Sequence, residues 1–282
     1  FGFNIADNIP PTLSKLKIYA FDTTLINGYR KSKIINIKKT NNKYSIDDTP
    51  TINGSFALGI STYDKLNDSY NKNGVYSIKV CVDSSICYKF TVDELDFSTS
   101  RYINAHMDYK EKKESKKKYH RCYKLPHNKL TNYSEIINEG IIDIKDTLPH
   151  LISLEVTDIY GNISDLEFNV KSTNNPFLTR CPLPKDTINI PFSLDKVNIF
   201  KKENMELHME SFSLYEPLMF HYNTIDSVDG VYGKVHQVHY NNTPVHKKYV
   251  LSLNAEIADS LKAKSYIATT DLKGNFWYIG GK

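Results

Sequence analysis

The sequence predicts an all-β chain of tandem, immunoglobulin-like β-sandwich domains, the first with a long charged insertion. Composition points that way, because 20 Tyr and 13 Phe stand beside many Ile, Val and Thr, the residues that suit a pleated, half-buried surface. Alternating apolar segments recur along the chain, divided by Gly, Asn, Asp and Pro. The clearest case is His150 to Lys171, which contains two such segments and the turn between them. Ile152, Leu154 and Val156 alternate there with Leu151, Ser153, Glu155 and Thr157, and after Gly161-Asn162 the alternation resumes through Ile163, Leu166, Phe168 and Val170. Gly161 and Asn162 reach positive φ at little cost and Asp158 can accept hydrogen bonds from the turn, so a hairpin is expected. A hairpin this apolar on one face needs a second sheet to cover it.

The 282 residues suffice for one large or two ordinary domains. Hydrophobic residues make up 40% and charged residues 24%, an ordinary globular mixture. No window approaches the roughly 20 apolar residues that span a bilayer. A net charge of +4 is too small an excess over this length to argue for nucleic acid.

Taken in order, residues 1–7 read as the tail of a preceding domain and a linker. Pro10 and Pro11 lack amide donors and restrict the residues before them, so a new domain is expected at about residue 8, opening on a strand from Leu13 to Phe21. Gly28 to Lys43 reads as an edge hairpin or loop. Phe56 to Tyr63 is a buried strand ending at Asp64, and Lys72-Asn73-Gly74 a turn. Val75 to Val82 and Ile86 to Val92 form a second hairpin around Asp83-Ser84-Ser85. Between about 98 and 146 the periodicity breaks, which marks an insertion in a sandwich that ends near residue 173. Its turn signals are Leu125-Pro126-His127-Asn128 and Asn138-Glu139-Gly140. Residues 174–191, with Pro176, Pro182, Pro184 and Pro191, read as a linker. Strand candidates at Val197–Phe200, Met205–Met209, Leu218–Tyr222, Lys234–Tyr240, Tyr249–Leu253, Ser265–Asp271 and Asn275–Ile279 predict a second sandwich over 192–282. Phe1 opens without Met or a signal-like segment, and the last strand candidate lacks a following partner, so the chain reads as an internal fragment.

Chemistry is sparse. His236, His239 and His246, with His221 near in sequence, come closest to a metal set. Residues i and i+3 of a strand point to opposite faces, so no metal ligand is predicted among them. His106 and His120 read as surface or hydrogen-bonded histidines. Nucleophile elbows and glycine-rich phosphate loops are absent, so no catalytic or cofactor-binding residue is predicted. Cys81, Cys87, Cys122 and Cys181 fit no metal or redox spacing. Cys81 and Cys87 could bridge across their hairpin or remain buried thiols. Tyr63, Tyr70, Tyr88, Tyr102, Tyr215 and Tyr232 either fill half-buried strand positions or offer rings for sugars and partners. One segment stands out by charge. Lys110 to Arg121 carries a net +5. It reads either as a solvated helix or loop, or as a contact for an anionic polymer made by Lys116, Lys117, Lys118, Arg121, Tyr109 and Tyr119, with Tyr123 alongside.

Several segments carry a family resemblance: FGFNIADNIPPT (Phe1–Thr12), NGVYSI (Asn73–Ile78), RYINAHMDY (Arg101–Tyr109), HRC (His120–Cys122) and VTDIYGN (Val156–Asn162). In this order they resemble the β-rich region that follows the catalytic domain in lysostaphin-type (LytM-like) zinc metallopeptidases. The family's zinc motifs, His-x-x-x-Asp and His-x-His, occur at none of the nine histidines. The resemblance therefore implies a non-catalytic accessory region of a secreted, periplasmic or extracellular peptidoglycan endopeptidase, with zinc confined to a peptidase domain before Phe1. The implied partners are peptidoglycan or envelope proteins. A surface adhesin or carbohydrate-binding module with no attached peptidase is the alternative from another class.

Overall fold

The computed structural model describes residues 6–21, 24–172, 188–225, 229–271, 273 and 275–281. With 44% of residues in strands and 8% in helices, the fold is all-β, built of separate sheets with no barrel. The chain divides into two compact units, Phe1–Leu183 and Pro184–Lys282.

The first unit contains β1 (Thr12–Ala20), β2 (Leu25–Ile26), β3 (Lys33–Asn36), β4 (Lys38–Thr40), β5 (Lys43–Ser45), β6 (Ile52–Asn53), β7 (Phe56–Tyr63), β8 (Ser77–Val82) and β9 (Ser85–Thr91). Short helices α1 (Ile103–His106) and α2 (Tyr109–Glu114) follow, then β10 (His120–Arg121), β11 (Tyr133–Ile136), β12 (His150–Thr157) and β13 (Ile163–Val170). One sheet has the order β10-β7-β1-β3 and the other β11-β9-β8-β12-β13-β5-β4. The region between Gly28 and Lys43 serves both sheets. β3 is the edge of the first, and β4 and β5 form a hairpin at the edge of the second, turning through Asn41 and Asn42 with φ of 50° and 61°.

Alternation sets the core. Leu16, Ile18, Phe56, Leu58 and Ile60 of the first sheet and Ile78, Val80, Ile152, Leu154, Val156, Leu166 and Val170 of the second are all buried. Each such side chain contributes about 1.5–3 kcal/mol by leaving water. The two sheets are tied through the Pro11 carbonyl, which accepts from Ser164 Oγ at 2.6 Å on β13 and Tyr44 Oη at 3.5 Å on β5.

The predicted hairpin is present, with β12 and β13 in unbroken register from His150↔Val170 to Thr157↔Ile163. Gly161 takes φ +87°, whereas Asn162 works through its side chain. Asp158 Oδ1 accepts the Tyr160 and Asn162 amides at 2.8 and 2.9 Å, and Oδ2 accepts Asn162 Nδ2 at 2.7 Å. Ile163 opens β13 on the outward face, so the buried set begins at Ser164 rather than at Ile163. The second hairpin turns tightly through Asp83 and Ser84, with Ser85 already in β9. Lys72-Asn73-Gly74 is not a turn, because Asn73 exchanges backbone hydrogen bonds with Asp64 at 2.9 and 3.0 Å.

The expected insertion is part of the sandwich. β10 extends the first sheet beside β7, and β11 extends the second beside β9. Tyr102, Ala105, His106, Asp108, Tyr119, Arg121, Cys122 and Tyr123 are buried within it.

The second unit contains β14 (Ile188–Phe192), β15 (Asn198–Lys202), β16 (Met205–Met209), β17 (Leu218–Ile225), β18 (Val235–Val238), β19 (Val250–Leu253), α3 (Asp259–Lys262), β20 (Ile267–Thr270) and β21 (Phe276–Gly280). Sheets β14-β17-β18 and β15-β16-β19 enclose a core of Phe192, Phe200, Met205, Leu207, Met209, Leu214, Phe220 and Tyr222. Of the expected linker, residues 174–187 lie outside the described residues, and 188–191 belong instead to β14. Pro191 fits there because β14 is an edge strand, where a missing N–H need break no ladder bond.

Candidate polymer-binding site

The charged segment is anchored from beneath. On β1, Leu16 and Ile18 face the core, so Lys17 and Tyr19 face outward, yet both are buried. Lys17 lies opposite Gly59, which lies opposite Arg121, placing all three on one face of the sheet. A Cβ on Gly59 would come within 2.7 Å of the Tyr19 ring, so only glycine leaves room for that ring between the two cations.

Asp108 holds this layer to α2. It caps the helix by accepting the Glu111 amide at 3.1 Å. Its Oδ2 also accepts from Lys17 Nζ and Tyr19 Oη, both at 2.8 Å, while Arg121 Nη2 lies 3.9 Å from Oδ1. Glu111 takes the second bond from Lys17, at 2.8 Å. Burial pushes the Asp108 carboxyl up, but Lys17, Arg121 and the Glu111 amide outweigh it and hold the group below its ordinary value. Arg121 Nη1 donates to the Ala105 carbonyl at 2.9 Å, so the end of α1 is fixed by the same group. On the other side of the segment His106 Nε2 meets His120 Nδ1 at 3.0 Å, His106 Nδ1 lies 3.3 Å from Tyr133 Oη, and Phe90 stacks on the His106 ring at 3.9 Å. His106 is buried and His120 half-buried, and both are hydrogen-bonded, one of the two readings the sequence allowed.

Above this anchor, Lys116, Lys117 and Lys118 are exposed in the loop between α2 and β10, with Lys116 at φ +60°. Among the described residues none of the three forms an ion pair. Lys117 approaches Lys15 of β1, whose ammonium is lowered from its ordinary value by desolvation and then by Lys117. The three lysines thus form a cluster of like charges with no ion pair among the described residues, and an anionic ligand would relieve it.

Two of the six predicted contacts are corrected. Tyr119 is 0% exposed and Arg121 5%, so neither can meet a polymer; both sit under the segment because β10 pairs with β7. Tyr123 is also buried, edge-on to Tyr19 and Phe21 at 5.1 and 5.4 Å. Tyr109 remains half-buried with Lys113 over its ring at 5.4 Å. Of the tyrosines proposed as exposed rings, Tyr88, Tyr102 and Tyr215 are buried, Tyr63 is half-buried under Lys72, and Tyr70 and Tyr232 are exposed.

In the second unit His236 Nδ1 meets Tyr222 Oη at 2.9 Å, His239 Nε2 meets Thr243 Oγ1 at 3.0 Å and His246 Nδ1 meets Tyr215 Oη at 3.3 Å, while the His221 amide donates to His239 Nδ1 at 3.1 Å. His221 stacks on Tyr240. Cys81, Cys87 and Cys122 are free thiols; a register shift sets Cys81 opposite Ile86 rather than Cys87, and burial pushes the Cys87 thiol up to about 11. Cys181 lies outside the described residues. Lys17, Tyr19 and Asp108 escaped sequence reasoning. The sequence carried a signal only for Asp108, in the Asp-x-x-Glu cap at Asp108–Glu111, whereas Lys17 reads as an ordinary outward position of an alternating strand.

Residues 189–282 match the family model of the Zu5-like domain, so the second unit from β14 onward is similar to that domain. The match lies outside the segments that resemble the peptidase accessory region, which end before residue 171. No curated protein and no solved structure matches the chain.

Proposed function

We propose that the chain is a non-catalytic positioning region of a cell-envelope peptidoglycan endopeptidase, and that the lysine run of its first unit contacts anionic envelope polymer. The observation that carries this reading is the exposed, unpaired run Lys116-Lys117-Lys118 beside Lys15, on a segment anchored by the buried Lys17–Asp108 pair. Peptidoglycan stems carry carboxylates and envelope polymers carry phosphates, which supply the missing anions. The family resemblance supplies the peptidase and the cell-envelope location. Exposed contacts of this kind contribute about 1 kcal/mol or less each and are screened beyond ~8 Å at physiological salt, so binding is modest and salt-sensitive.

Co-sedimentation of the 282-residue chain with purified sacculi tests the reading, comparing native sacculi with sacculi whose carboxylates are amidated and phosphopolymers removed. Retention on the native material and loss on the neutralised material are expected. Equal retention on both would turn the account toward a neutral-sugar or protein contact.

A further inference from the structure

A second feature of the first unit stands apart from the lysine run. Asp7 precedes Pro10-Pro11, Asp64 directly follows β7, and Asp158 lies in the β12–β13 turn; each offers a carboxylate oxygen, and these oxygens lie within 4.8 Å of one another. Asp64 is 4% exposed and Asp158 2%. The Asp158 oxygens are engaged by its turn, and Asp7 Oδ1 accepts from the Ile9 amide at 3.2 Å. Asp64 Oδ1 and Asp7 Oδ2, in contrast, are buried and accept nothing. Among the described residues no Lys, Arg or His pairs with any of the three.

Buried carboxylate oxygens without donors carry their full desolvation cost, and three together repel. Desolvation and the charges of Asp158 and Asp7 raise the Asp64 carboxyl above its ordinary value, with a backbone bond from Lys65 opposing them. We infer that Asp7, Asp64 and Asp158 hold one hard divalent cation, with calcium the best fit. All three donors are oxygens, which suits calcium or magnesium over zinc or copper. Calcium accepts irregular sites made by several protein carboxylates, whereas magnesium demands near-ideal octahedral geometry and keeps several of its waters. The ion would tie the segment entering β1 to the β12–β13 turn, where Asn162 Nδ2 already donates to the Asp7 carbonyl at 3.2 Å. This inference is independent of the polymer contact.

Calorimetric titration of the 282-residue chain after EDTA treatment, first with calcium chloride and then with magnesium chloride, tests it alongside thermal melting. One calcium per chain is expected, with Kd between roughly micromolar and millimolar, and at tenfold excess over Kd the first unit melts roughly 3 to 6 °C higher. Magnesium shifts it less. Asp64→Asn and Asp7→Asn abolish both the heat and the shift. Metal-free Asp64→Asn melts no lower than the metal-free parent, since it loses an uncompensated charge. Asp7 lies outside every strand, so Asp7→Asn decides the matter should Asp64→Asn not fold. A folded parent that neither binds calcium nor shifts, or calcium binding unchanged in Asp7→Asn, would overturn the assignment.

Discussion

Lys17 Nζ lies 2.8 Å from Asp108 Oδ2, joining the first strand to a helix cap 91 residues later, with 10% and 3% of the two side chains exposed. A pair this buried makes a small net contribution while intact, but removing one partner leaves the other charged and dry. Asp108→Ala leaves Lys17 with Glu111 as its remaining carboxylate, removes the carboxylate beside Arg121 and uncaps α2, so a loss of about 3 kcal/mol from the first unit is expected in urea denaturation. A loss under about 1 kcal/mol, the size of an exposed pair, would contradict the anchoring role.

The histidine pair predicts an acid sensitivity. His106 and His120 are held below their ordinary value by burial, helped by His120 and Arg121 for the first and by Lys118 for the second, which falls to about 4. Both are neutral when folded and bind protons more readily when unfolded. Their contribution is therefore complete above about 6.5 and is lost as pH falls through about 4. Melting temperature should drop across that window, and His120→Gln should flatten the slope. An unchanged slope in the variant would assign the acid sensitivity to other groups.

At the β8–β9 turn Asp83 and Ser84 both take left-handed backbone, with φ of 48° and 68°. Asp83 is needed there, since its carboxylate accepts the Leu151 amide at 2.9 Å and meets His150 Nδ1 at 2.6 Å. Ser84 carries the conformation without such a bond among those described, so Ser84→Gly should stabilise by up to about 1 kcal/mol. Chemical denaturation would read this as a higher midpoint at constant slope.

Gly140 makes the opposite prediction. It sits at φ +79°, and a Cβ there would come 2.6 Å from the Cys122 carbonyl oxygen and 2.8 Å from Tyr123 Cα. Both obstacles are backbone, so Gly140→Ala should cost about 2 kcal/mol or more. A melting temperature equal to the parent's would contradict the close approach.

Period-two elements were legible because their signal is local. Met205–Met209 has its predicted bounds and alternates, Phe56–Tyr63 has its predicted bounds as a buried run, and the Asp158–Asn162 turn declares itself by residue type. The burial of Tyr119 and Arg121 was not legible, since it depends on a two-residue strand, β10, reaching an edge some 60 residues back. A run of charge hid the buried residues within it. The lysines at 116–118 could be read from composition, whereas the group formed by Asp7, Asp64 and Asp158 arises only when three distant segments meet.

The central claim is that the exposed lysines, rather than the buried Arg121 and Tyr119, make the polymer contact. Binding of the 282-residue chain to purified sacculi, measured at low and high salt beside a Lys116→Ser, Lys117→Ser, Lys118→Ser triple variant with Arg121 intact, tests it most directly. The account predicts a parent that binds at low salt and releases at high salt, and a folded variant that binds about tenfold more weakly at low salt. Equal binding of parent and variant at low salt would contradict it.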